Sequence, residues 1–184
     1  FGGWGFDDNA AQAENIAEVG YAQGVPMGGD LTRPASVDSK VQLLIRAVKD
    51  PVDGNLDRVQ VVKGWLDSAG NSQEKVFNVA WSDNRKLDAK GELPAVGDTV
   101  DRNTAAYTNT IGATELATVW EDPSFDANQR AFYYVRVMQI PTPRHSLFDA
   151  VAAKELNGGE VKLPEEGPAV IQERAYTSPI WYTP

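Results

Sequence analysis

His145, in the run TPRHSLFD, is the single histidine of the chain, and there is no cysteine. Zinc and di-iron centres draw on several His or Cys ligands, so a metal site made from this chain alone would rest on carboxylates. Ser146 and Asp149 follow His145, but a catalytic triad is an arrangement in space and not a run in sequence. Ser146 with Asp149 three residues on reads better as a weak capping box at a helix start. The densest oxygen cluster is DPVDGNLDR, with Asp50, Asp53, Asn55 and Asp57. An EF-hand loop counted from Asp53 needs Gly at its sixth position and Glu at its twelfth; Arg58 and Gly64 stand there. The spacing supports a solvated turn, and DNRKLDAKGELPAVGD reads the same way. GVPMGGDL places two glycines before Asp30 but lacks the Lys-Ser/Thr end of a phosphate loop, so it reads as a backbone bend. Five tryptophans (Trp4, Trp65, Trp81, Trp120 and Trp181) have the chemistry of a sugar-stacking platform. At period-two positions on strands such residues more often build a core.

The elements that must carry these residues are mostly strands. VQLLIRAV, Val41 to Val48, is a short apolar run between turn-rich flanks. Arg58 to Trp65 alternates, with Val59, Val61 and Trp65 on one face. Lys75 to Trp81 does the same with Phe77, Val79 and Trp81, so the two form an antiparallel hairpin. The long polar stretch after Trp81 holds one or two short strands, near Thr99 and Tyr107. ATELATVW ends a strand at Trp120. RAFYYVRVMQI has apolar residues on both faces, Phe132, Tyr134, Met138 and Ile140 against Tyr133, Val135 and Val137, which places it centrally in a sheet. A helix capped by Asp8 or Asn9 runs to about Val19 and stops at Gly20. A second helix follows PTPR and stops at Gly158 and Gly159.

This pattern predicts a mainly β fold: an immunoglobulin-like or related antiparallel β-sandwich with one or two short peripheral helices. Residues 1–40 read as an N-terminal extension with a short helix and a Gly/Pro-rich loop. Residues 41–184 read as the sandwich, with a helical and loop insert at about 141–169. In VWEDPSFDANQRAFYYVRV a strand, a short crossover and an aromatic-led strand match the corner of such sandwiches, where a Tyr bonds back to the crossover backbone; Tyr133 and Tyr134 are the candidates. The ending RAYTSPIWYTP reads as the closing strand beside it. Pro179 sets that strand at an edge or marks its start, and Trp181 is expected to pack rather than bind.

Across 184 residues, 26 acidic against 17 basic side chains give a net charge of -9. Phosphate binding needs a basic face, so nucleic acid is excluded as an expected partner, and anionic membrane surfaces are disfavoured. No apolar run is long enough to span a bilayer. The first residue is Phe1, so translation is expected to start elsewhere. The compartment is left open, periplasmic and secreted locations included.

Three blocks, VQVVKGWLDSAGNSQEKVFNVAWSDNR, YTNTIGATELATVWEDPSFDANQRAFYYVRVMQIPTPR and IQERAYTSPIWYTP, resemble the C-terminal part of a bacterial family catalogued as domain of unknown function 3604. The resemblance runs from FGGW through PMGGDL to Pro184. It thins between Val151 and Pro168, and it has an aromatic after Arg144 where this chain has His145. It implies a large protein with an N-terminal metal-dependent phosphoesterase domain similar to the polymerase-and-histidinol-phosphatase (PHP) type. The divalent metal would belong to that domain, and none of its His-rich motifs occurs here. The resemblance also implies that FGGW leaves a strand that starts upstream, so that a sheet edge near Phe1 is unpaired.

The expected function is a non-catalytic C-terminal β-domain of a metal-dependent hydrolase, packing on the catalytic domain of the same chain. The alternative is a small-molecule or glycan binding module with at least two aromatics exposed side by side. A self-contained enzyme built on paired carboxylates ranks last. No catalytic or metal-ligating residue and no cofactor is assigned to this chain. The residues for an interface or binding role are Arg144, His145, Trp181 and Tyr182.

Overall fold

The computed structural model describes residues 1–32, 39–165 and 167–184. The part of the Gly/Pro-rich loop at residues 33–38 lies outside the described residues, as does residue 166 of the insert. The fold is mainly β, a sandwich-like pair of sheets with two α-helices at its margins. The strands are β1 (Gly2–Gly3), β2 (Gly24–Val25), β3 (Asp30–Leu31), β4 (Gln42–Val48), β5 (Leu56–Leu66), β6 (Ser72–Trp81), β7 (Glu115–Glu121), β8 (Ala131–Gln139), β9 (Thr142–Pro143), β10 (Val170–Ile171), β11 (Arg174–Tyr176) and β12 (Ile180–Tyr182). The helices are α1 (Ile16–Gln23) and α2 (His145–Asn157). One large sheet has the order β2-β1-β4-β7 and the other β3-β12-β8-β5-β6, with β11 also paired to β8, while β9 and β10 form a separate two-stranded ladder.

Alternation decides what lies between the sheets. Leu43 and Ile45 from one sheet meet Val59, Val61, Tyr133, Val135, Ile180 and Tyr182 from the other. Each fully buried side chain of this size contributes roughly 1.5–3 kcal/mol. Leu44, on the opposite parity of β4, is buried under Phe6, Ala10 and Ala11 on the outer side of the smaller sheet. β8 is central, with β5 on one side and β11 and β12 end to end on the other.

Two register shifts break the simple alternation. The β5–β6 ladder pairs Val59 with Ala80 and Gln60 with Asn78, leaving Val79 unpaired. Val79 and Ala80 then both pack on the core. Trp81 leaves the face expected for it and donates its indole N–H to the Arg85 carbonyl at 2.9 Å. The β5–β8 ladder skips Asp57, and such a bulge re-aims a side chain; this one turns a carboxylate into the interior.

Several local expectations are corrected. The first helix does not run from Asp8 to Val19. A 3-10 turn at Ala10–Gln12 precedes α1, and Ala13 between them is extended. Gly20 lies inside α1 rather than ending it, because a Cβ there would overlap the Phe1 ring. Ser146 is the second residue of α2, not its cap; its hydroxyl donates to the Pro168 carbonyl at 2.7 Å and Arg144 holds the cap position. The stretch near Thr99 and Tyr107 forms no strand, only a single bridge between Asp101 and Ala106. Residues 1–40 contribute to both sheets, through β1 and β2 in one and β3 in the other.

The tail becomes an internal strand. β12 pairs antiparallel with β8 (Ile180 opposite Tyr133, Tyr182 opposite Ala131) and parallel with β3. Pro179 marks its start, and its carbonyl accepts Gly28 N–H at 3.0 Å. Neither Tyr133 nor Tyr134 makes the expected backbone bond to the crossover. Tyr182 makes it, donating its hydroxyl to the Ala127 carbonyl at 2.8 Å. Deleting the last five residues removes two buried side chains and two ladders. At roughly 1.5–3 kcal/mol per side chain, against a total stability of about 5–15 kcal/mol, this truncation is expected to abolish the cooperative thermal transition. Tyr182→Phe should cost about 1 kcal/mol, read as a lower urea midpoint with unchanged slope.

Candidate docking cleft and aromatic face

The interior carries two clusters of charge, and both are closed. Asp122 lies directly after β7, Lys63 on β5 and Tyr133 on β8. Lys63 Nζ donates to Asp122 Oδ2 at 2.6 Å and the Tyr133 hydroxyl donates to the same oxygen at 2.7 Å. Oδ1 accepts the Ser124 amide at 2.9 Å and its hydroxyl at 3.0 Å. The carboxylate is thus saturated. Burial first, then the Asp122 charge, push the Tyr133 phenol far above its ordinary range, so it stays a donor. Lys63 falls on the inward parity between Val61 and Trp65, a signal that a parity count of β5 contains.

Asp57, at the bulge, is also fully buried. Its Oδ2 accepts Arg58 Nε at 2.9 Å and Gln172 Nε2 at 3.0 Å. Arg85 Nη2 makes an ionic contact with Oδ1 at 2.7 Å and donates to the Asp57 carbonyl at 2.8 Å. The DPVDGNLDR run is therefore not a uniformly solvated turn. Asn55 bonds the Asn109 and Ile111 carbonyls, Asp53 Oδ1 accepts its neighbour Gly54 N–H, and only the front of the run faces water. Among the described residues, no group of three or more His, Cys, Asp or Glu side chains is placed to hold a metal ion.

Among the described residues, two stretches of surface are open and rich in apolar or aromatic side chains. The first is a cleft of about 460 Å³ along β4, lined by Met27, Ile45, Ala47, Val135, Val137 and Ile180 among others. Phe1 and Leu44 exchange both backbone bonds, at 2.8 and 2.9 Å. By strand alternation the N–H and C=O groups of Arg46 and Val48 point the same way, and beyond Phe1 no strand among the described residues pairs with them. Tyr21, Met27 and Val48 are exposed around this edge.

The second is the outer face of the larger sheet. Trp181 and Phe132 lie 5.2 Å apart between ring centroids, Phe132 and Tyr134 6.4 Å apart with planes 9° from parallel, and Tyr134 and Tyr176 6.3 Å apart. Tyr176 is 55 % and Trp181 47 % exposed. Phe132 reaches over Gly64, where a Cβ would overlap its ring. Trp181 therefore packs on one side and faces solvent on the other. A groove of about 580 Å³ runs past it, with Trp65, Glu74 and Arg130 on its walls.

The residues singled out from sequence do not meet in one site. Trp181 and Tyr182 pair with the first residues of β8, whereas Arg144 and His145 start α2 beyond its other end. Tyr182 is buried, and its aromatic partners are Phe125 and Trp4. Arg144 donates its backbone N–H to the Ala169 carbonyl, and His145 is exposed. α2 instead buries Leu147 against Val100 and Ala105 of the long loop. Reasoning from sequence missed Arg136, Arg174 and Tyr176. Their signal is faint: Arg130, Phe132, Tyr134 and Arg136 share one parity on β8, as do Arg174 and Tyr176 on β11.

The whole chain, residues 1–184, matches the family described as "Protein of unknown function (DUF3604)", and the protein belongs to that family. No curated protein and no solved structure matches it.

Breaking a buried pair by removing one partner costs about 3–5 kcal/mol. Lys63→Met and Asp122→Leu should each destabilise the fold by that amount in urea titrations. The double variant should recover part of the loss, giving a nonzero coupling energy in the cycle.

Proposed function

We propose that this member of the DUF3604 family is a non-catalytic β-domain that packs, along β4, on another domain of the same protein. By resemblance that domain is a metal-dependent phosphoesterase-like hydrolase, and it would hold the divalent metal. One observation carries the reading: an apolar cleft along β4, beside the edge at Arg46 and Val48 that, by resemblance, chain upstream of Phe1 would continue. An exposed edge of this kind is a template for another segment of chain. The closed charge clusters support it as well, since Lys63, Asp122, Asp57 and Arg85 are taken up in holding the fold. Among the described residues, no helix is long and apolar enough to cross a membrane.

A second reading, a binding module, is favoured by the exposed row from Trp181 to Tyr176. It places ligand on the outer face of the larger sheet and leaves the β4 cleft for docking.

Val48 is 66 % exposed, so Val48→Lys should change stability by less than about 0.5 kcal/mol. A lysine on an open edge blocks strand addition, so the same variant should lose association with the separately produced catalytic domain in a pull-down or by calorimetry. The 184-residue chain alone should not turn over p-nitrophenyl phosphate or bis-p-nitrophenyl phosphate with added Mn, Zn or Mg. Robust turnover would refute the non-catalytic reading, and undiminished association of the Val48→Lys variant would refute the β4 interface.

A further inference from the structure

The outer face of the larger sheet holds a guanidinium oriented without a carboxylate. Arg136 Nε donates to Gln60 Oε1 at 2.8 Å. Gln60 Nε2 donates to Asn78 Oδ1 at 2.8 Å, and Asn78 Nδ2 donates to the Gly91 carbonyl at 3.1 Å. Gln60 is 8 % exposed. A relay of neutral amides therefore aims Arg136 while leaving its charge unneutralised. Arg174 stands opposite the neighbouring Met138 in the β8–β11 ladder, and Tyr176 stands opposite Arg136. Hydrogen bonding to Arg174, and then to Arg136, holds the Tyr176 phenol below its ordinary range despite slight desolvation. Among the described residues, neither arginine has a carboxylate partner, whereas Arg46, Arg58, Arg85 and Arg102 each do.

In a chain with 26 acidic and 17 basic side chains, two arginines on one face of the β8–β11 pair, each without an acid partner among the described residues, are a local excess of positive charge. Guanidinium groups recognise carboxylate and sulfate oxygens through paired N–H donors. Beside them Tyr134 and Phe132 offer parallel rings, and Trp181 continues the row. Cation and aromatic surface lie on one face, so the ligand must combine an anionic group with an extended, weakly polar ring face. A single strand of nucleic acid has both, but it needs a basic groove along its backbone, and the arginines of this face stand only at its ends, Arg136 and Arg174 at one and Arg130 at the other with Glu74 in the same groove, in a chain of net charge -9.

We propose that Arg136, Arg174 and Tyr176 bind the carboxylate or sulfate of an acidic oligosaccharide, whose sugar rings lie across Tyr134, Phe132 and Trp181. The inference deepens the binding-module reading and is independent of docking at β4.

The test is calorimetric titration of the full-length protein with trigalacturonate, with a sulfated galactan tetrasaccharide and with neutral galactotriose. At least one acidic sugar is expected to bind, about tenfold or more tighter than galactotriose, and to weaken as salt rises. The trigalacturonate and sulfated arms distinguish carboxylate from sulfate. Arg174→Gln is at an exposed site and should leave the fold intact, confirmed by an unchanged melting temperature, while weakening the acidic sugar about tenfold or more. Tyr134→Leu should weaken both acidic and neutral sugars. Equal binding of galactotriose would overturn the anion site and leave the aromatic face standing. Absence of any sugar binding at millimolar concentration, or tighter binding of a decathymidylate strand, would overturn both.

Discussion

The contact between Lys63 and Asp122 ties the two sheets together at one buried point. Asp122 ends the strand that completes the smaller sheet, while Lys63 and Tyr133 stand on the two central strands of the larger one. Burying either charge alone costs several kcal/mol. The cost is offset only where the sheets meet at the spacing that lets one carboxylate take four donors. A slip of β5 by one residue would turn Lys63 to the outer face and leave Asp122 buried without its cation. The pair therefore acts less as a source of stability than as a constraint on register, and the surrounding core follows that register.

The tail depends on the same constraint. Ile180 and Tyr182 enter the core beside Tyr133, and the Tyr182 hydroxyl holds the crossover that begins at Asp122. The short strand Asp30–Leu31 then covers the far side of β12. Asp57 does the equivalent at the other end of β5. It gathers Arg85 from the loop after β6 and Gln172 from the segment before β11. Chain segments far apart in sequence are thus pinned to two buried carboxylates, each on or next to a strand end. That arrangement commits the buried ionisable groups to architecture. Two surfaces are left open among the described residues: the β4 edge is apolar with unpaired backbone groups, and the outer face of the larger sheet joins aromatic rings to arginines without acid partners.

Much of the architecture was legible in the residues. Period two in Arg58–Trp65 and in RAFYYVRVMQI marks β5 and β8, because an apolar core face leaves its period in sequence, whereas the ladder between these two strands has no local signal. The closing strand at Ile180–Tyr182 was legible from aromatics that a free terminus has no reason to carry. The start of the first helix is not legible: Ala10 and Ala11 pack with Leu44 in a 3-10 turn and Ala13 is extended, although alanine favours an α-helix. The face of Trp81 is not legible because the bulge at Val79, two residues earlier, shifts parity, and no residue type announces that shift.

The mainly β class, the positions of the long strands and the membership of one family over all 184 residues are properties that the sequence determines by itself, since periodicity and block similarity are local or linear. Which ionisable residues are spent on the fold was decided only in three dimensions. Asp57 and Asp122 look like surface acids in sequence, yet both are fully buried. Arg136 and Arg174 look like unexceptional strand residues, yet they share one face beside four aromatic rings. Charge pairing depends on distance between residues that sequence separates by up to 81 positions among the ion pairs described, and only the closed sheets set that distance.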